Sequence, residues 1–148
     1  MDSLPFANGF FDAIVSVDAY QYFGTADLYL GYVVRFLRDR GRIGVVVPAL
    51  FTECAPEVPE WLAPYWNWEF WCFHGPAWWR THWEKTSKVT VDVADAIEDG
   101  WRDWLRFSDV TEPYVDGWRK QAALDEGAML RADQGRLLGF TRIAATAR

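Results

Sequence analysis

Asp18, Ala19, Tyr20 and Tyr22 fall in a short polar and aromatic run, Asp18-Ala19-Tyr20-Gln21-Tyr22-Phe23-Gly24, directly after an apolar stretch. In open α/β sheets ligands sit beyond the carboxyl ends of strands, near the point where strand order reverses. A carboxylate and two phenols at such a place are positioned to touch a ligand. The competing account is an ordinary strand-to-helix loop whose aromatics pack on the next helix, and the residue types alone do not decide between them. His74, before Gly75-Pro76 and beside Trp residues, is a candidate general base or substrate hydrogen bonder. A structural histidine in a turn is the simpler account. Seven of the ten Trp residues lie between Trp61 and Trp83. Trp78 and Trp79, among them, are candidates for an aromatic wall around an organic substrate or for holding a cation on their ring faces. Packing in a lid and core is again the simpler account, because Trp residues are seldom left exposed in such numbers. No metal is expected: Cys72, His74 and His82 lack paired CxxC or HExxH spacing. Asp95, Glu98 and Asp99 read as a solvated helix start. The sequence contains no nucleophile elbow, P-loop or GxGxxG.

These residues need a scaffold, and the stretch from Phe11 to Pro48 supplies its centre. Phe11-Asp12-Ala13-Ile14-Val15-Ser16-Val17 is a short apolar run of the kind a parallel strand shows when both faces are covered. Thr25 as N-cap, Asp27 in the first turn, and Leu30, Val33, Val34 and Leu37 at i, i+3, i+4 and i+7 predict a helix over 26–38. Arg35, Arg38 and Arg40 crowd its C-terminal end and Gly41 marks its exit. Arg42-Ile43-Gly44-Val45-Val46-Val47-Pro48 then predicts a second strand near 43–47. Two buried strands joined by a helix make a right-handed βαβ crossover.

Before this unit lies a polar lead-in with a turn at Asn8-Gly9. After it, Pro56, Pro59 and Pro64 predict a loop. Gly75-Pro76 opens a helix with proline at its first position, with Trp79, His82 and Trp83 on one face. Val89, Val91 and Val93 alternate with Thr90, Asp92 and Ala94, which predicts a strand near 88–94. Trp101, Trp104 and Leu105 suggest a helix after Asp99-Gly100. Another is expected from Thr111-Glu112-Pro113, with Val115, Trp118 and Ala122 inward and fraying near Gly127. A closing strand is expected near 136–146. The fold class is α/β, a single domain over residues 1–148 with an aromatic-rich insertion near 51–86.

A chain of 148 residues can bury a core by itself. Its net charge of −6 argues against nucleic acid or an anionic membrane surface as partner. No apolar run approaches the ~18 residues of a membrane span. Met1-Asp2-Ser3 lacks the basic start and apolar core of a signal peptide. Cys54 and Cys72 are too few for a disulfide framework, so a reducing cytoplasm is the expected compartment.

Leu4-Pro5-Phe6, Phe11-Asp12-Ala13-Ile14-Val15-Ser16 and Arg35-Phe36-Leu37-Arg38-Asp39-Arg40-Gly41-Arg42 together resemble the middle of a class I S-adenosylmethionine-dependent methyltransferase. There, an LPF…FD segment leads into the fourth strand and an R-x-L-K-P-G-G turn leads into the fifth. The resemblance spans residues 1–50; beyond them, Phe73-His74-Gly75-Pro76 with Trp78-Trp79-Arg80 is similar only to a subset of small-molecule methyltransferases. It implies a partial doubly wound, Rossmann-like methyltransferase sheet whose glycine-rich loop and ribose-binding acid lie outside this sequence. Asp39 and Arg40 stand where the family has Pro-Gly, so a left-handed residue there costs on the order of 1 kcal/mol more than glycine. The resemblance implies methyl transfer from S-adenosylmethionine to a small organic acceptor. Asp18, Ala19 and Tyr22 would line the donor side, Trp78 and Trp79 would face the acceptor, and Tyr20 and His74 would serve catalysis. The alternative is a non-catalytic binding or assembly module. The apolar strand at 11–17 has no proline or lysine to blunt an exposed edge. Self-association there, or pairing with a segment N-terminal to it, is therefore expected, as is poor donor binding by this chain alone.

Overall fold

Strands β1 (Phe11–Val17) and β2 (Leu37–Leu50) pair in parallel, in a computed structural model that describes residues 4–23, 26–52 and 57–148. Between them lies α1 (Ala26–Val33), followed by a 3-10 turn over Val34–Phe36. The expected crossover is therefore present, but its helix is shorter than 26–38. Val33, Val34 and Phe36 are β-branched or aromatic and weak in helix, and Leu37 is taken by pairing opposite Phe11. Arg38 and Arg40 thus belong to β2 rather than to a helix end. Thr25, the expected N-cap, lies outside the described residues.

Gly41 does not mark a helix exit either. Phe11 aligns with Leu37 and Ala13 with Arg42, so one residue of β1 stands opposite four of β2. The surplus is absorbed in a bulge where Arg40 is left-handed at φ 58°. A Cβ on Gly41 would lie 2.9 Å from the Arg38 carbonyl oxygen and 3.2 Å from that of Asp12, closer than a side chain tolerates. The turn that resembles R-x-L-K-P-G-G is this bulge, clamped by an ion pair between Arg38 and Asp12.

The remaining elements are α2 (Pro76–Lys85), β3 (Val89–Ala96), α3 (Gly100–Thr111), α4 (Gly117–Asp133) and β4 (Leu138–Ala147). The sheet order is β1-β2-β4-β3, which puts β1 at an edge. Along β3 and β4, Thr90 meets Arg148, Asp92 meets Thr146 and Asp95 meets Arg142; one index rises as the other falls, so these strands run antiparallel. The chain divides into two compact units, one of Met1–Val47, Pro76–Asp95 and Thr141–Arg148, the other of Pro48–Gly75 and Ala96–Phe140.

In the first unit Ile43, Val45, Val47, Val89, Val91, Ile143, Ala145 and Ala147 bury one face of the strands against Leu30 and Val33 of α1 and Trp79 and Trp83 of α2. The lead-in is tied down as well. Gly9, at φ 71°, donates its N–H to the Arg35 carbonyl, and Phe6 packs edge-on against Phe11 at 4.8 Å.

The second unit has its own core of Leu50, Leu62, Phe70, Phe73, Met129, Leu130 and Leu138. Its α4 runs past Gly127 to Asp133 instead of fraying, and it turns Ala123, Gly127, Met129 and Leu130 inward. Trp118 and Ala122, expected inward, are exposed. The helix starts only after the 3-10 turn Glu112–Tyr114, which displaces the inward face from the positions the periodicity suggests. Asp133 closes the helix from within the core, its carboxylate accepting from Trp61 Nε1 at 3.1 Å and from the N–H groups of Leu137 and Leu138.

Candidate functional site at the carboxyl end of β1

β1 continues one step past Val17: the Asp18 N–H donates to the Val46 carbonyl at 2.9 Å. The backbone then turns sharply, with Asp18 at φ 49°, a left-handed conformation that Asp tolerates better than most residues because its short side chain bonds locally. A 3-10 turn over Tyr20–Tyr22 follows, closed by Tyr22 N–H to the Ala19 carbonyl at 3.0 Å and Phe23 N–H to the Tyr20 carbonyl at 3.1 Å. The strand end is thus a tightly wound polar corner.

Asp18 and Gln21 form its polar centre. The Gln21 carboxamide donates Nε2–H to Asp18 Oδ1 at 2.9 Å. Loss of solvation pushes the Asp18 carboxyl above the usual carboxylate range, and the Gln21 hydrogen bond partly offsets this. Gln21 is only 4% exposed. Its Oε1 is buried with no hydrogen-bond partner among the described residues, and the same holds for Ser16 Oγ, two residues before Asp18 on β1. Gln21 was not singled out by sequence reasoning. Its signal is the spacing of three from Asp18, which lets a carboxamide fold back on the carboxylate.

The other sequence-predicted residues divide between surface and core. Ala19 is half-buried and Tyr22 is exposed beside it. Tyr20, expected to serve catalysis, is 1% exposed, and its ring packs on Trp79 at 6.0 Å, Trp83 at 5.8 Å and Tyr29 at 5.9 Å. Trp79 is equally buried, so it reaches the strand-end loop as a packing partner of Tyr20. Trp78 is half-buried and stacks on His82 at 4.6 Å. His74 lies in the second unit, as do Trp61, Trp66, Trp68 and Trp71. The aromatic stretch is therefore shared between two units. Trp68 and Trp71 are 74% and 82% exposed, while the other five rings of the stretch are buried or half-buried, in line with the expectation that most of them are packed. Among the described residues no group of three or more His, Cys, Asp or Glu side chains is disposed to hold a metal ion, and no helix is long and apolar enough to cross a membrane.

No family model matches the sequence, and no curated protein matches it. Solved structures do. Phosphoethanolamine N-methyltransferase 2 of Haemonchus contortus, in complex with S-adenosyl-L-methionine, superposes with a TM-score of 0.71 at 13% identity, over 96% of this chain and 34% of the other. Geranyl diphosphate C-methyltransferase from Streptomyces coelicolor A3(2), in complex with Mg2+, geranyl diphosphate and S-adenosyl-L-homocysteine, gives 0.62 at 18% identity, over 98% and 49%. The [4+2]-cyclase SpnF gives 0.66 at 14% identity, over 98% and 53%. The chain spans about a third to a half of the length of these proteins.

Proposed function

From a class I methyltransferase-like fold, matched over part of each neighbour's length, we propose that this chain takes part in S-adenosylmethionine-dependent methyl transfer to a small organic acceptor. The observation that carries the reading is the wound corner at Asp18 to Tyr22, at the carboxyl end of a parallel strand in that fold. Fold alone does not assign chemistry, as a cyclase among the neighbours illustrates. The corner's chemistry suits the reading. The Asp18 carboxylate and the exposed ring of Tyr22 fit the cationic part of a sulfonium donor, with Ala19 beside them. The donor would supply an electrophilic methyl group. The chain's contribution is to orient the reactants and to exclude water, since such transfers depend mainly on positioning. A base is needed only where the acceptor loses a proton. Tyr20 and Trp79 support the corner by packing under it, and Trp78 offers a half-buried ring face.

Mass spectrometry of reactions containing methyl-labelled S-adenosylmethionine and a panel of small acceptors tests the reading. A labelled product that Asp18→Ala abolishes supports it. A folded chain that neither binds the donor in calorimetry nor forms product rejects it in favour of the second reading.

That second reading is a non-catalytic module that associates through β1, with a second copy or with a strand N-terminal to it. One observation favours it: β1 is an edge strand whose Val15 and Val17 are 74% and 64% exposed. An apolar edge without proline or lysine is a template for pairing.

A further inference from the structure

We infer that the uncovered face of β1–β2 is a docking surface for the outer stripe of α3 from a second copy of this chain. On that face Ala13, Val15 and Val17 stand beside Arg42, Gly44 and Val46. All three β1 residues are exposed, although their types are those a strand buries rather than shows to water. At the start of β2, Arg38, Arg40 and Arg42 are exposed as well. Arg38 is held by Asp12, whereas Arg40 and Arg42 have no ion pair among the described residues. The face is therefore apolar along β1, with free cations at one end.

Its counterpart lies in the second unit. α3 packs Trp104 and Leu105 on that unit's core, and Ser108 donates to Glu126 of α4. Phe107 and Val110 are exposed on the other side of the helix, with Asp103 one turn before Phe107 and exposed too. Spacings of four and three put these residues in one stripe, with Arg106 on its flank. One side of α3 is thus covered by its own unit and the other is not. Charge divides the same way. The first unit has nine basic against eight acidic residues, the second six against thirteen. A copy that offers α3 brings its acidic half to the half that holds the free arginines, whereas two acidic halves would repel each other.

The dimensions agree. Asp103 to Val110 spans ~10 Å of helix and Ala13 to Val17 spans ~13 Å of strand. With Asp103 set against Arg42, which stands beside Ala13, Phe107 falls over Val15 and Val110 over Val17. Packing a helix on a sheet is one of the few ways to bury such a face. The stripe and the face are different patches, so the contact is head-to-tail. This inference rests on the second reading above for the association of copies, and it makes face packing rather than edge pairing the means.

The test is sedimentation equilibrium of the whole 148-residue chain at concentrations up to about 1 mM. Association that weakens with added salt is expected. Val15→Glu and Phe107→Glu should each weaken it by about tenfold or more, the effect of losing a central apolar contact. An equimolar mixture of the two variants should recover a two-chain species and nothing larger, because the first retains an intact stripe and the second an intact face. Circular dichroism will show that each variant is folded. Both positions are exposed, and Val17→Glu with Val110→Glu forms a second pair if either variant fails to fold. A chain that stays monomeric at every concentration overturns the inference, as does a mixture that recovers no association. Association that Phe107→Glu leaves unchanged also overturns it, and returns the second reading to pairing along the β1 edge.

Discussion

The two faces of the β1–β2 pair have nearly the same sequence character and opposite fates. On one, Ile14 and Ser16 stand beside Ile43 and Val45, under Tyr20, Trp79 and Trp83. On the other, Ala13, Val15 and Val17 stand beside Arg42, Gly44 and Val46, and the β1 members of that row are exposed. Apolar patterning therefore reports what a strand is able to bury, not what covers it. The same open face changes character along the sheet. At β3 and β4 it carries Thr90, Asp92, Arg142, Thr146 and Arg148, joined to one another and to Asp95 by hydrogen bonds and an ion pair. One half of the face is finished for water and the other is not.

The sharpest way to break this comparison is to cut one residue from each face. Trp83 is fully buried at the centre of the covered face, and Trp83→Ala should destabilise the fold by about 3–5 kcal/mol in denaturant unfolding, the usual cost of emptying a large aromatic site. Val15→Lys on the open face should change stability by no more than about 0.5 kcal/mol. It should nonetheless reduce any association seen by light scattering, because an edge lysine disfavours strand addition. Equal destabilisation by both substitutions would mean that the faces do not differ.

The bulge offers a smaller effect of opposite sign. Arg40 is left-handed where glycine is at ease. Arg40→Gly should stabilise by on the order of 1 kcal/mol, less the entropy that glycine adds to the unfolded chain. Loss of stability on thermal unfolding would show that the Arg40 side chain contributes more than its backbone costs.

These cases mark what the sequence could carry. The apolar runs at 11–17 and 43–47 and the proline-led start of α2 were legible because each is a local pattern with a local cause. The end of α1 was not: Arg38, Arg40 and Gly41 look like a helix exit, and only the pairing of Leu37 with Phe11, distant in sequence, converts them into a strand with a bulge. The inward face of α4 failed for a related reason, because a 3-10 turn before Gly117 resets the phase. At the candidate site, the position of Asp18 at a strand end was legible from the apolar run before it. Tyr20 was singled out for chemistry, and its ring is buried against Trp79 and Trp83, contacts that nothing local announces. Gln21 escaped notice because a carboxamide has no titration to attract attention.

Asp18 gives a pH test of that corner. Its folded pKa is raised above the ordinary value of 3.8, chiefly by desolvation. In the folded state the proton is therefore held more tightly than in the unfolded state. The stabilisation is fully present below the unfolded pKa and is lost as pH rises through the folded value. Asp18→Asn should remove this fall in stability between acid and neutral pH while keeping an acceptor for Gln21. A variant whose stability curve parallels the parent's across that window would show that Asp18 is no more desolvated folded than unfolded.

The smallest effect is expected at the finished half of the open face. Asp95 accepts two hydrogen bonds from Arg142, at 3.0 and 2.6 Å, and these hold its carboxyl below the usual range. The sign is opposite to that of Asp18: the contribution is present above the unfolded pKa and is lost as pH falls through the folded one. Both side chains are solvent-exposed, so water and salt screen the pair and its bidentate geometry contributes little to stability. Arg142→Gln should leave the unfolding midpoint almost unchanged at neutral pH and high salt. What it should change is the finish of the surface, because Asp95 then lacks its partner beside the row of Arg142, Ala144, Thr146 and Arg148. If Arg142→Gln promotes association in light scattering as strongly as Val15→Lys suppresses it, the ion pair protects the β3–β4 half from pairing, and the contrast with the unprotected β1 edge is sharpened. If association is unaffected, the polarity of Thr90 and Asp92 is sufficient for that half, and β1 alone decides how the chain meets its neighbours.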